Sequence, residues 1–193
     1  MIAGVLLAAG RGTRFGTHKL LHPLDDGMTI AGHAARNLIA ALPRSVAVVR
    51  PGDTALREIL MGQGLTIIEC AQAAHGMGAS IACGVAATPH AAGWVIALAD
   101  MPWIRPQTIY TVAQQVRAGA GIAAPLYRGQ RGHPVGFAAA FKESLLALHL
   151  DTGAREVIET AHERLVLTNT ADAGVLLDVD VPADAQRDFS ASC

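Results

Sequence analysis

The chain has 193 residues and a net charge of −1, and hydrophobic residues make up 51% of it while charged residues make up only 16%. This length and composition allow the chain to bury a core of its own, which excludes an intrinsically disordered protein. The near-neutral charge argues against sequence-independent binding of nucleic acid, and no apolar run reaches the roughly 18 residues that a membrane span requires.

Short aliphatic runs alternate with helical patterns along the chain, which predicts βαβ units and a mostly parallel sheet. In the first half, strands are predicted over 2–8, 45–49, 65–69, 94–99 and 121–125. Helices are predicted from an N-cap at Thr29 to residue 42, from Asp53 or Thr54 to residue 60, over 78–88, and from Pro106 to residue 119. The predicted fold class is therefore α/β, with a three-layer architecture.

The pattern changes after residue 126. Residues 127–134 are polar and rich in turn formers, and they predict a hairpin or an extended excursion. Helices are then predicted over 141–148 and 154–161, strands over 165–168 and 176–179, and a short terminal helix from Pro182. Because no repeat or Pro/Ser-rich linker interrupts the chain, a single domain over 1–193 is predicted.

A glycine-rich loop follows the first predicted strand, with the sequence Leu7-Ala8-Ala9-Gly10-Arg11-Gly12-Thr13-Arg14-Phe15-Gly16-Thr17-His18-Lys19. Glycines allow backbone N–H groups to approach a ligand, and arginine and lysine add positive charge. The loop thus predicts a site for an anion with several oxygens, most simply a nucleoside triphosphate. It is neither a P-loop nor a dinucleotide fingerprint, because Leu20 follows Lys19 and the third glycine comes one residue late. The alternative is a glycine-rich turn with solvated charges.

Carboxylates at two strand ends indicate a metal site. Asp100 ends the buried run 94–99, and ligands of open α/β sheets bind at such strand ends. Mg²⁺ binds carboxylate and triphosphate oxygens together, usually through more than one protein group. Strand alternation places Asp178 and Asp180 on one face, and Asp180 is the best second ligand. Helix capping is the alternative for Asp100 and for Asp180 or Asp184.

The loop and the run Leu98-Ala99-Asp100-Met101-Pro102 resemble the signatures of nucleotidyltransferases. That resemblance implies a Rossmann-like nucleotidyltransferase (nucleotide-diphospho-sugar transferase) fold, with Lys19, Arg14 and Asp100 as catalytic residues. It further implies a metal site of Asp100 and Asp180 for Mg²⁺, with Mn²⁺ as an alternative ion. Near Asp180, Val181 and Ala183 replace the Thr and Glu of the family pattern. The implied nucleotide contacts are Leu7, Ala8, Ala9, Gly10, Arg11, Gly12, Lys19, Gly78 and Ser80.

Gly78 and Ser80 belong to the segment Gly76-Met77-Gly78-Ala79-Ser80, which resembles the family's segment beneath the nucleoside. Backbone N–H groups and a serine at a helix start can hold a base edge or a phosphate oxygen. Ordinary helix capping is the alternative. The pair Ala8-Ala9 resembles the corresponding pair of cytidylyltransferases rather than that of guanylyltransferases. The resemblance implies CTP as the nucleotide, since a Cβ in the base pocket takes room that a purine needs.

The segment Gly129-Gln130-Arg131-Gly132-His133-Pro134-Val135-Gly136-Phe137 resembles molybdenum-cofactor nucleotidyltransferases, especially the cytidylyltransferases of the MocA type. Leu150-Asp151-Thr152-Gly153-Ala154-Arg155 resembles a loop of the same subfamily. The resemblance implies transfer of CMP from CTP to molybdopterin, and handover of the product to an apo molybdenum hydroxylase. Arg131, His133 and Arg155 are the implied acceptor-binding residues. Residues 1–125 are then the nucleotide-binding half and residues 126–193 the acceptor-binding half.

Four alternatives stay open at this point. A guanylyltransferase or a sugar-1-phosphate nucleotidyltransferase would share the fold, and a redox enzyme or a non-catalytic cofactor carrier could have reused it. The cysteines Cys70, Cys83 and Cys193 form neither an even set nor a CxxC pair, and we expect reduced thiols in a cytoplasmic protein. The first residues lack a basic segment, and no signal peptide is expected.

Overall fold

Eight strands form one mixed sheet in the computed structural model, which describes residues 1–10, 15, 18–149 and 153–186. The strands are β1 (Ile2–Leu7), β2 (Ser45–Val49), β3 (Thr66–Glu69), β4 (Gly93–Leu98), β5 (Ile122–Tyr127), β6 (Gln130–Arg131), β7 (Val135–Ala138) and β8 (Leu165–Asn169). Their order is β3-β2-β1-β4-β7-β5-β6, with β8 paired to β5. Only β7 and β6 run against the other strands, so the sheet is mostly parallel, as predicted.

The helices are α1 (Ile30–Ala41), α2 (Thr54–Gly62), α3 (Met77–Ala86), α4 (Pro106–Arg117), α5 (Lys142–Leu146) and α6 (Arg155–Thr160). Local signals determine several of their starts. The Thr29 hydroxyl accepts a hydrogen bond from the Gly32 N–H at 3.1 Å, and the Asp53 carboxylate caps α2. Pro106 occupies the first turn of α4, where a missing N–H costs nothing.

Two apolar cores lie on opposite faces of the sheet. One contains the inward residues of α1, α2 and α4, including Leu38, Leu56 and Val112. The other contains those of α3, α5 and α6, including Ile81, Leu145 and Ile158. The three-layer α/β fold class is therefore confirmed.

The predicted turn after β5 is a two-residue hairpin. Arg128 and Gly129 both have positive φ, 49° and 80°, which is the backbone that such tight connections require. The chain then returns as β6 and β7, and β7 lies between β4 and β5. One continuous sheet thus contains strands from both halves of the sequence.

Two predictions are wrong. Residues 176–179 do not form a strand: a 3₁₀ helix occupies Ala173–Leu176, and an extended segment follows it. The Val179 N–H donates to the Asp100 carbonyl at 2.9 Å, and the Asp180 N–H donates to the Asp184 carboxylate. Because these partners are a loop carbonyl and a side chain, no strand ladder forms.

The second wrong prediction concerns cysteine. Cys70 and Cys83 form a disulfide whose Cα atoms lie 6.1 Å apart, so they are not the expected free thiols. Cys193 lies outside the described residues. The cytoplasmic assignment relied in part on free thiols and stays a prediction. None of the helices in the described ranges combines the length and apolar character that crossing a membrane requires.

Candidate functional site

The site lies where β1 and β4 end side by side. Leu7 is the register partner of Leu98, and the Ala99 N–H donates to the Leu7 carbonyl at 3.1 Å. β2 pairs with the other edge of β1, so the strand order runs from β1 out to β3 on one side and then continues with β4 on the other side of β1. Open α/β sheets bind ligands in the crevice at such a switch point. The start of the glycine-rich loop and Asp100 therefore share this edge of the sheet.

Lys19 joins two acidic side chains at this edge. Its Nζ lies 2.9 Å from Asp100 Oδ2 and 3.4 Å from Asp180 Oδ1. The Lys19 side chain is only 10% exposed, whereas the side chains of Asp100 and Asp180 are 28% and 40% exposed. A buried ammonium is thus balanced by two carboxylates that reach solvent, from segments 81 and 161 residues away in the chain.

This arrangement has the donor set for a divalent cation. The Lys19 ammonium is already a cation held between carboxylate oxygens of two segments. Mg²⁺ is commonly bound through one or two carboxylates, with substrate phosphates completing the coordination. Across the described ranges, no group of three or more His, Cys, Asp or Glu side chains could hold a metal ion by itself. Asp100 and Asp180 therefore suit a metal that arrives together with a triphosphate.

α3 packs on β1 and β2 of the sheet. Gly84, in the second half of the helix, permits this close packing, because a Cβ there would collide with Val5 of β1. Gly78 and Ser80 are buried in the first turns, and Ser80 is 4% exposed. The N-cap is Gly76, with φ of 130°, and no side chain caps the helix. The helix therefore begins at a glycine of this segment, as the capping alternative has it, and Ser80 lies inside the first turns.

Ala8 and Ala9 continue β1 toward the site and are 2% and 6% exposed. The Ala8 N–H donates to the Val48 carbonyl at 2.9 Å, which fixes the chain direction as it leaves the sheet. Gly10 follows and is exposed. The catalytic and nucleotide-binding candidates Arg11, Gly12 and Arg14 lie outside the described residues.

His133 lies near the carboxylates, on the turn between β6 and β7. Its backbone N–H donates to the Val175 carbonyl at 2.9 Å. The preceding Gly132 has no room for a side chain, because a Cβ there would lie 2.5 Å from the Val175 carbonyl oxygen. Burial lowers the pKa of the His133 imidazole, and the positive charge of Arg131 lowers it further. The carboxylates of Asp100 and Asp178 act in the opposite direction. His133 therefore lies within electrostatic reach of Arg131, Asp100 and Asp178.

Arg155 has a different environment. It begins α6, its side chain is 78% exposed, and its Nε donates to Glu159 at 2.7 Å. Within the described part of the chain, no contact joins Arg155 to Lys19 or to either carboxylate. Gly153, just before it, packs against Met77 at the start of α3. The loop that carries Arg155 therefore approaches the helix bearing Gly78 and Ser80.

Sequence reasoning missed Asp172 and assigned Asp184 only a capping alternative. The Asp184 carboxylate accepts 3.0 Å hydrogen bonds from the N–H groups of Asp180 and Val181. Asp172 is buried and contacts the start of α4. Its polar neighbour Thr170 and the following Gly174 are a weak sign of a turn, but no local pattern identifies its distant partners.

The model of the MobA-like NTP transferase domain family matches residues 4–165. The bifunctional protein GlmU of Geobacter metallireducens is 32% identical over 111 residues. That match covers 56% of this chain and only 23% of GlmU. The purine catabolism protein PucB of Bacillus subtilis is 26% identical over 95% of this chain and 93% of PucB.

Solved structures share the fold over nearly the whole chain. The crystal structure of Rv0371c from Mycobacterium tuberculosis has a TM-score of 0.82 and 29% sequence identity. The match covers 95% of this chain and 94% of that one. Another structure of that protein, in complex with manganese, has a TM-score of 0.77.

Proposed function

Because the chain belongs to the family of MobA-like NTP transferase domains, we propose that it transfers CMP from CTP to molybdopterin and releases pyrophosphate. The observation that carries nucleotidyl transfer is the position of Lys19 between Asp100 and Asp180, at the sheet edge where the glycine-rich loop begins. A cation and two carboxylates at that edge are what a triphosphate with a divalent metal requires.

In the proposed reaction, a phosphate oxygen of molybdopterin attacks the α-phosphorus of CTP. A new P–O bond forms as the bond from the α-phosphorus to the bridging oxygen breaks, and pyrophosphate carries away the electron pair. No protein nucleophile or general base is required, because the acceptor phosphate is already anionic. The protein therefore acts by positioning and by charge.

Lys19 and the loop contribute charge stabilisation. The Lys19 ammonium can stabilise the negative charge that grows on the leaving pyrophosphate, together with backbone N–H groups of the loop and Arg14. Its burial strengthens this effect, since fewer water molecules screen the ammonium. Asp100 and Asp180 would hold Mg²⁺, or Mn²⁺, which supplies neutralisation of phosphate charge when bound.

Two features support the finer assignment of substrates. The buried methyl groups of Ala8 and Ala9 narrow the base pocket and favour the smaller cytosine. On the other side, His133 lies within electrostatic reach of both Asp100 and Arg131. We place the acceptor phosphate, which attacks the α-phosphorus, on this side. Arginine suits the phosphate and oxygen-rich head of molybdopterin. An apo molybdenum hydroxylase is the proposed recipient of the product.

The test is pyrophosphate release with Mg²⁺ and molybdenum-loaded molybdopterin, with CTP, GTP, ATP and UTP compared. We expect release with CTP alone. Release with GTP would keep the reaction and refute the base assignment. Release with none of the four would refute the proposed activity.

The variant that tests the metal assignment is Asp100→Asn, with Asp178→Asn as its matched control. We expect turnover to fall at least about a hundredfold in Asp100→Asn, because the metal that would neutralise transition-state charge loses a carboxylate ligand. Asp178 is exposed and lies two residues before Asp180 in the chain. Its replacement should leave turnover within about threefold of wild type. Equal losses in both variants would contradict the assignment.

A further inference from the structure

Asp172 is the buried carboxylate of the described residues, at 4% exposure, and it accepts three hydrogen bonds. Its Oδ2 accepts from the Arg105 N–H at 2.8 Å and from the Thr108 hydroxyl at 2.7 Å. Its Oδ1 accepts from the Gly174 N–H at 3.1 Å. A buried carboxylate is retained only where such donors replace its water, and all three donors come from main chain or a hydroxyl.

These contacts belong to a longer alignment of two chain segments. Residues 100–105 and 172–179 run antiparallel. At one end the Val179 N–H donates to the Asp100 carbonyl, and at the other end the Arg105 N–H donates to the Asp172 carboxylate. Between them, Gly174 packs against the Trp103 carbonyl so closely that a Cβ would collide with it. We call residues 172–180 the strap.

The strap determines where Asp180 lies. Val175 and Val179 are fully buried, so one face of the strap packs into the core. Asp180 follows Val179 directly, and the Val179–Asp100 hydrogen bond brings the two carboxylate-bearing residues together. A shift of the strap by one residue would turn Asp180 away from Lys19 and Asp100. Its register is therefore a property that the site depends on.

We infer that Asp172 is a positioning residue for the metal site: its carboxylate fixes the register of the strap on residues 100–105 and so holds Asp180 opposite Asp100. This role rests on the proposed metal binding by Asp100 and Asp180. Asp172 touches neither carboxylate and acts only through the backbone of the two segments. Groups that orient metal ligands in this way typically affect metal affinity about 10–100-fold.

The experiment compares Mn²⁺ binding to the wild type, Asp172→Asn, Thr108→Val and Thr108→Ser by electron paramagnetic resonance, with Mn²⁺ alone and again with CTP present. We expect Asp172→Asn to weaken Mn²⁺ binding at least about tenfold. Thr108→Val, which removes one of the three donors, should weaken it less, and Thr108→Ser, which keeps the hydroxyl, should bind as the wild type does.

Leu145→Ala is the control for a general loss of stability. Leu145 is fully buried in the core on the opposite face of the sheet, so its truncation lowers the melting temperature without touching the strap. We expect it to keep wild-type Mn²⁺ affinity. If Asp172→Asn does not fold, Thr108→Val against Thr108→Ser carries the comparison.

Wild-type Mn²⁺ affinity in a folded Asp172→Asn protein, or in Thr108→Val where Asp172→Asn does not fold, would overturn the positioning role. A wild type that binds Mn²⁺ in neither condition would refute the metal site and this role with it. A wild type that binds Mn²⁺ but transfers no nucleotide would refute the proposed reaction and leave the positioning role in place.

Discussion

Two charged side chains are buried in the described part of the chain, Lys19 and Asp172. Each is compensated in a different way. Asp172 has three uncharged donors, whereas Lys19 has two carboxylates that remain partly hydrated. The Lys19 ammonium and the carboxylates of Asp100 and Asp180 by themselves sum to one negative charge. This cluster of three side chains can therefore attract a divalent cation while its ammonium stays available for phosphate oxygens.

The variant Lys19→Met separates two proposed roles of this cluster, metal binding and stabilisation of the leaving pyrophosphate. Removing the ammonium takes one positive charge away from Asp100 and Asp180, so we expect Mn²⁺ to bind severalfold more tightly than to the wild type. Turnover should nevertheless fall at least about a hundredfold, because the leaving pyrophosphate loses its stabilising charge. Mn²⁺ titration and pyrophosphate release measure the two effects on the same protein.

The control is the other lysine of the chain, Lys142, at the start of α5. Lys142→Met removes the same charge from a position that hydrogen-bonds only the Pro89 carbonyl among the described contacts. Both measurements should stay at wild-type values. Weaker Mn²⁺ binding in Lys19→Met would show that the ammonium does not compete with the metal.

Among the elements, α3 has a covalent link that its sequence pattern did not predict. The disulfide joins Cys83 of α3 to Cys70, which follows β3 and lies 13 positions earlier in the chain. A loop of this size restricts the unfolded chain, which stabilises the fold by about 3 kcal/mol. Cys83→Ser should lower the free energy of unfolding by about that amount, as measured by urea denaturation under oxidising conditions.

Dithiothreitol provides the matching control for the disulfide. It should destabilise the wild type to the level of Cys83→Ser and leave Cys83→Ser itself unchanged. Equal stability of the oxidised wild type and the variant would show that the bond contributes nothing to stability in solution.

The same elements show what sequence can predict. Thr29, Asp53 and Pro106 mark helix starts through contacts within a few residues, so their patterns predicted α1, α2 and α4. Asp100 could be predicted as a metal ligand from the sequence, because its position depends only on where β4 ends. The partners of Asp172, Arg105 and Thr108, are 67 and 64 residues away, and no local pattern identifies them.

Distant partners also explain why a strand was wrongly predicted over residues 176–179 of the strap. Alternation of Leu177, Asp178, Val179 and Asp180 indicates extended backbone with one buried face, and the structure has that: Val179 is buried, while Asp178 is exposed. Whether extended backbone becomes a strand depends on its hydrogen-bond partners. Here these are one loop carbonyl and the Asp184 carboxylate, which only the tertiary fold brings near.

For the whole molecule, the position of β7 has the largest consequence. Its antiparallel pairing with β4 and β5 places a strand of the later sequence between two strands of the earlier one. Neither the first 125 residues nor the remainder can then complete the sheet alone. The nucleotide-binding and acceptor-binding halves are thus proposed functional regions of one sheet rather than separable folding units.

This topology predicts a single cooperative unfolding transition, and the two tryptophans can test it. Trp94 of β4 is fully buried in the core beneath α3, whereas Trp103 packs against the core on the other face. Trp103→Phe leaves Trp94 as the fluorescent reporter, and Trp94→Phe leaves Trp103. In each variant, the urea midpoint by fluorescence should equal the midpoint by far-ultraviolet circular dichroism, because both cores share the sheet between them. A fluorescence midpoint that departs from the circular-dichroism midpoint in either variant would show that one face unfolds first, which a shared sheet does not allow.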